Sequence, residues 1–180
     1  MDVGAFYRLM AKTCERQRTK PTPATESALQ EIWNTFCPNG HIRLFMAEFE
    51  GDLIAGLLCI CFGKRVVAWK KGWNEQHAAR HPNALLTFEA IEWSHNHGYA
   101  CVDFNGIRRD LAHLLLSGKP FPQGGADSVH WFNLGFGSKP LLLPEPQLYI
   151  SNPIFRFAYQ IVMASRHGQN LATQFVGSRI

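Results

Sequence analysis

The sequence predicts a mixed α/β fold in which a single sheet lies between layers of helices, and three observations lead there. The run Leu53 to Phe62 is apolar almost throughout, the pattern of a strand buried on both faces. It sits between Ile42 to Phe49 and Arg65 to Lys70, and the tight turns Glu50-Gly51-Asp52 and Gly63-Lys64 join the three into an antiparallel meander. Val66 to Gly106 then reads as strand, loop, long helix and second strand, a crossover that forces Val66–Trp69 and Tyr99–Phe104 to run parallel with a right-handed connection.

Ala5 to Gln17 places Phe6, Leu9, Met10 and Thr13 on one face of a first helix, which Lys20-Pro21-Thr22-Pro23 ends. A second helix spans Thr25 to Phe36, with Leu29, Ile32, Trp33 and Phe36 at helical spacing, and Cys37-Pro38-Asn39-Gly40 stops it. Helices before and after the meander should therefore cover opposite sides of the sheet. In the crossover, Asn83 is a good N-cap and Gly98 a natural stop. Between them only Glu89, Glu92 and Asn96 form a wet stripe, so this helix is expected to be covered on most sides. Beyond Gly106, Arg108 to Ser117 holds a helical turn, Gly118 to Asp127 is a Pro- and Gly-rich loop suited to a lid, and Ser128 to Leu134 is a short helix closed by Gly135. Lys139 to Tyr149 is Pro-punctuated, edge-like chain, and Pro153 opens a last helix, Ile154 to Arg166.

A length of 180 residues with 46% hydrophobic and 12% aromatic content describes one ordinary domain, residues 1–180, with a proper core. No run is long enough to span a bilayer, and the N-terminus lacks the charged-then-apolar pattern of a signal peptide. These features point to the cytoplasm, as do five cysteines without a C-x-x-C pair. Cys59 and Cys61 are read as core. A net charge of +4 suits an anionic partner but falls short of a nucleic-acid footprint.

Ligands of crossover units sit at strand C-terminal ends. Those ends carry Lys70, Lys71, Trp73, Arg80 and Asn83 on one side and Asp103, Asn105, Arg108 and Arg109 on the other, beside a helix N-terminus that favours negative charge. An anionic, acyl-bearing ligand fits this set. Arg80, Asn83 and Asn105 are the expected donor contacts, and Lys70, Trp73 and Arg108 the expected substrate contacts. Asp103 is either the proton acceptor for an attacking amine or the cap of the next turn. His130 is either a base or a surface histidine, and Asn133 can donate to an oxyanion. His77 and His81 have the spacing of a zinc pair, but Pro82 and the missing third ligand argue against metal. Phe155, Phe157, Tyr159 and Ile161 do not all share one helix face, which favours packing or a homodimer contact over a membrane anchor.

The order of two helices, a meander, a crossover helix and a parallel strand resembles the GNAT acyltransferase fold. Several patches are similar to its FemAB-like and BioF2-like branch, which includes peptidoglycan-bridge aminoacyltransferases. They are Phe6-Tyr7-Arg8-Leu9, Arg43-Leu44-Phe45-Met46-Ala47, Ala55-Gly56, Pro82-Asn83-Ala84-Leu85-Leu86 with Glu89-Ala90-Ile91, Val102-Asp103-Phe104-Asn105-Gly106-Ile107, and Phe132-Asn133-Leu134-Gly135-Phe136-Gly137. The resemblance implies transfer of an acyl or aminoacyl group to a primary amine of a small molecule or cell-wall precursor, without metal. The donor would be acyl-CoA, an acyl carrier or aminoacyl-tRNA, the last making tRNA a partner. It adds Phe132 to the substrate contacts. Three departures stand beside it. The loop Glu75 to Asn83 lacks the glycines with which coenzyme A-using relatives cradle pyrophosphate. Asn133 stands where the branch often has lysine. The chain matches only the second of the branch's two tandem domains, as a fragment or degenerate half would. The first two departures favour the alternative, a non-catalytic GNAT-like binding domain.

Overall fold

The computed structural model describes residues 2–122, 129–144 and 148–164. The chain forms two compact units, residues 1–140 and 141–180. In the first, helices α1 (Val3–Arg16) and α2 (Glu26–Phe36) precede strands β1 (Ile42–Phe49), β2 (Asp52–Phe62) and β3 (Arg65–Trp73). A short 3-10 turn, Ala78–Arg80, leads into α3 (Pro82–Asn96), β4 (Cys101–Asp103), α4 (Arg109–Leu116) and α5 (Val129–Leu134). The second unit contains α6 (Pro153–Ala164). Residues 123–127, the second half of the expected lid, lie outside the described residues, and no strand forms among the described residues of 139–149.

The sheet order is β1-β2-β3-β4, antiparallel through β3 and parallel between β3 and β4. This is the mixed sheet and crossover that the sequence indicates. Its two faces carry separate cores. Ala55, Leu57, Cys59 and Cys61 of β2 meet Val66 and Ala68 of β3 and Leu86 and Ala90 of α3. On the other face Leu58 joins Phe6, Met10, Leu29 and Leu44 beneath α1 and α2. Burial of β2 on both sides explains its nearly unbroken apolar run.

Several expectations change. The helix α3 is covered on one face: Leu86, Thr87, Ala90 and Ser94 are buried, whereas Leu85 and Phe88 are 52% and 55% exposed beside Glu89 and Glu92. Among the described residues the sheet ends on that flank at Cys101–Asp103. The cap of α3 is His81, with Pro82 in the first helical position, where its fixed φ and missing N–H cost nothing. Asn83 therefore lies inside the first turn. The segment after Gly106 forms two full turns, Arg109–Leu116. The strand β3 runs three residues beyond Lys70 because α1 packs directly on its end. A Cβ at Gly72 would lie 2.6 Å from the Met10 amide nitrogen and 2.8 Å from the Leu9 carbonyl carbon.

Backbone gives way less readily than a side-chain tip, so Gly72→Ala should cost about 2 kcal/mol, within the usual range for overpacking. Urea unfolding checks this, with Gly106→Ala, whose Cβ meets nothing within 4 Å, as the neutral control. Equal midpoints for the two variants would remove the close approach of α1 from the account.

Candidate functional site

The parallel pair is short. Arg65, Val66 and Val67 face Cys101, Val102 and Asp103, and there β4 ends. The strand β3 continues for six more residues to Trp73, roughly 20 Å at strand rise, so it outruns its neighbour. Asp103 makes the break. Its Oδ1 accepts the Asn105 N–H at 2.8 Å and its Oδ2 pairs with the Arg65 guanidinium at 3.1 Å. Asn105 adopts a left-handed φ of 69° and accepts the Gly106 N–H through its own Oδ1. An Asx turn thus leads the chain off the sheet and opens a notch beside β3.

Helix α5 spans this notch. The Lys71 Nζ of β3 lies 4.7 Å from the centre of the Phe132 ring. Phe136 contacts Phe132 at 5.2 Å and Phe104, just past β4, at 6.0 Å. Next to Phe132, Asn133 is only 9% exposed, and its Oδ1 is buried with no hydrogen-bond partner among the described residues. An orphaned buried acceptor costs about 1–3 kcal/mol, and functional sites are a recurrent place for such a group. The Asn133 carbonyl is already engaged, by the Phe136 N–H and the Ser138 hydroxyl. His130 is half-buried on the same helix, three residues from Asn133 and so on the same side.

Lys71 completes this lining, although the sequence marks it only as one strand-end cation of several. It pairs across the sheet with Leu57, on the α3 face. Desolvation holds its ammonium below the ordinary lysine range, and it has no carboxylate partner among the described residues. Burial, with the neighbouring Cys61, pushes the Cys59 thiol up to about 12, so no thiolate neutralises it near pH 7. Strand alternation within an apolar run could have singled out Lys71, since one of two adjacent lysines must face inward. The bulge at this point of the β2–β3 pairing hides which.

The remaining expected residues lie elsewhere. Lys70 is on the α1 face, with its Nζ over the Trp69 ring. Trp73 anchors the strand end: its N–H and C=O both bond Thr13 Oγ1, and its indole N–H reaches the Gln76 carbonyl. Arg80 stacks on Phe49 at 3.7 Å, at the end of β1 and two strands from the notch. Arg108 is engaged by Asp110, whose carboxyl it holds down to about 2. His77 rests on Phe49 rather than forming a pair with His81.

The loop before α3 bears on a pyrophosphate-bearing donor. Glu75, His77 and His81 all take left-handed φ angles, 67°, 56° and 50°, without being glycine. Pro82 has no N–H, and those of Ala84 and Leu85 both bond the His81 carbonyl. Only the Asn83 N–H remains at the helix start among the described residues, a poor cradle for pyrophosphate.

Residues 1–112, from α1 into α4, match the family model described as the acetyltransferase (GNAT) domain. No curated protein matches the chain. No group of three or more potential metal ligands occurs among the described residues, and no helix there is long and apolar enough to cross a membrane.

The burial of Lys71 has a consequence with a definite sign. An unfolded lysine keeps its ordinary value of 10.5 while the folded one sits lower, so the unfolded chain binds more protons in between and stability rises with pH through that window. Lys71→Met should therefore stabilise the protein at pH 7, by an amount that shrinks as the pH approaches 10. Urea unfolding at both pH values checks this, and a constant difference would show Lys71 to be fully solvated.

Proposed function

Since the chain belongs to the acetyltransferase (GNAT) family, we propose that it is an N-acyltransferase that moves an acyl or aminoacyl group from an activated carrier to a primary amine at the β3/β4 notch. The observation that carries this reading is the orphaned Asn133 Oδ1, buried on α5 next in sequence to Phe132, whose ring meets Lys71 where the outer edge of β3 runs on past β4. The unpaired edge of β3 offers backbone N–H and C=O groups to the amides of a carrier arm, holding the acyl carbon in place.

In the reaction the amine nitrogen attacks the acyl carbonyl, a C–N bond forms, and the bond from acyl carbon to carrier sulfur or oxygen breaks. Both oxygens of Asp103 already hold the strand pair and the turn, so we give it the positioning of the notch lip, with Asn105 beside it. His130 takes the proton from the amine and returns it to the leaving carrier atom. The Asn133 Oδ1, an acceptor, takes an N–H of the attacking amine, and Phe132 packs against the substrate. The acceptor is a small molecule or a cell-wall precursor.

Membership of the FemAB-like and BioF2-like branch is part of the proposal. It is supported by the packing of the Phe132 and Phe136 pair against Lys71 and Phe104, which gives the shared phenylalanines a structural task at the notch. Within that branch residues 1–180 act as one domain. Acyl-CoA, an acyl carrier and aminoacyl-tRNA are all carriers of the required kind, and the poor cradle at α3 argues for those that need no grip on pyrophosphate. The same loop favours a second reading, a GNAT-like domain that binds a donor or partner without turnover.

Acyl transfer to primary amines, assayed with acetyl-CoA, longer acyl-CoAs and aminoacyl-tRNA, separates the two. Turnover should fall by roughly a hundredfold in His130→Gln, the usual scale for a lost general base, and by less than about tenfold in Asp103→Asn. The reverse order would return the proton to Asp103. Wild-type rates in both variants and in Asn133→Ala would move the chemistry out of the notch, and no turnover with any donor would favour the binding domain.

A further inference from the structure

One charged group of the notch has no task in the reaction written above. Arg65 is spent on Asp103, Arg16 on Glu75 and Arg108 on Asp110. Lys71 has no such carboxylate, and none of its three N–H donors meets an acceptor among the described residues. The side chain is half-buried on the α3 side of the sheet, opposite Leu57, so its ammonium gives up part of its hydration. The Phe132 ring, 4.7 Å away, compensates on one side only. Asp103, at the lip of the notch, has both oxygens committed to Arg65 and the Asn105 N–H. A half-buried cation left in this way is satisfied by an anion that arrives with a ligand.

The surroundings define that anion. Lys70 lies on the α1 face and Arg108 is held by Asp110, so one ammonium balances one negative charge, where a phosphate dianion would leave an excess. Phe132 packs with Phe136, and Phe136 with Phe104, an apolar wall that suits a carboxylate on a carbon stem better than a broad hydrated headgroup. Placement then selects the acceptor over the donor. The carrier arm runs along the edge of β3, whereas the attacking amine meets Asn133 on α5, and Lys71 leans on the neighbouring residue of that same helix. We propose that Lys71 binds a carboxylate of the acceptor, so that the substrates are primary amines that also carry a carboxyl group. This assignment rests on the acyltransferase reading and narrows its acceptor class.

Two measurements on the full chain test it, with Lys71→Met, expected to fold at least as stably at pH 7, as the variant. In the first, acyl transfer to glycine, β-alanine and γ-aminobutyrate is compared with transfer to their uncharged amides. The kcat/KM ratio of acid to amide should fall by roughly tenfold or more in the variant for at least one pair, the scale of one charged hydrogen bond, and Lys71→Arg should keep most of the preference. Equal ratios in wild type and Lys71→Met would overturn the proposal and leave the acyltransferase reading standing. The second measurement needs no turnover: at constant ionic strength the same amino carboxylates should raise the thermal unfolding temperature of the wild type and not of the variant. It therefore reports on Lys71 even where no donor gives transfer, the result that sinks the acyltransferase reading by itself. No difference between the two proteins would overturn the proposal. So would an equal or larger Lys71-dependent shift with inorganic phosphate, which gives the cation to a phosphoryl group, or an acyl group found on the Lys71 Nζ that passes to an added amine, which makes it a nucleophile.

Discussion

The threonine of α1 that stands in for a missing strand decides the shape of the site. Past Val67, β3 has no strand neighbour on its outer side among the described residues, and an unpaired edge would normally fray or recruit another strand. Thr13 Oγ1 donates to the Trp73 carbonyl at 3.1 Å and accepts the Trp73 N–H at 2.9 Å, while Arg16 approaches the same carbonyl. This fixes the end of the strand from the side. Gly72 permits the approach, because any side chain there would meet the α1 backbone. At the other end Arg65 and Asp103 hold the last rung of the parallel pair. The stretch between these two fixtures is a strand edge held in place without a strand beside it, which is the property that a binding notch requires.

Much of this architecture is legible in the residues. The doubly buried β2 announces itself through an apolar run with hardly a polar interruption, and a strand-helix-strand unit of this size leaves little choice but a right-handed parallel crossover. What the residues do not disclose is how far two parallel strands overlap. The overlap of β3 with β4 is set by where Asp103 finds Arg65 and the Asn105 amide, contacts 38 and 2 residues apart that no periodicity encodes. For that reason Lys70, Arg80 and Arg108, grouped in sequence as strand-end residues, are dispersed in space, whereas Lys71 meets Phe132. Leu85 and Phe88 mislead for a related reason: apolar content alone counts how much surface could be buried, and a sheet that ends at a three-residue strand provides cover for one helix face only.

The loop between β3 and α3 shows a substitution of another kind. Left-handed backbone at a residue with a side chain costs about 1–2 kcal/mol, and Glu75, His77 and His81 all adopt it. Stacking of His77 and Arg80 on Phe49 offsets part of that strain. The turns of the loop are thereby kept while side chains and Pro82 replace the open amides that a pyrophosphate would need. On the proposed reading, the notch would hold the arm of an acyl carrier while the loop leaves its phosphates ungripped.

Backbone hydrogen exchange with acetyl-pantetheine and acetyl-CoA tests that statement most directly, because the two share an arm and differ in the nucleotide. The account predicts that both protect residues 68–72 and Val129–Leu134, with dissociation constants within about tenfold, or 1.4 kcal/mol, of each other. Protection confined to the groove lined by Trp33, Arg43 and Trp93 at the opposite end of the sheet, or a coenzyme A affinity about a hundredfold or more above that of the arm alone, would contradict it.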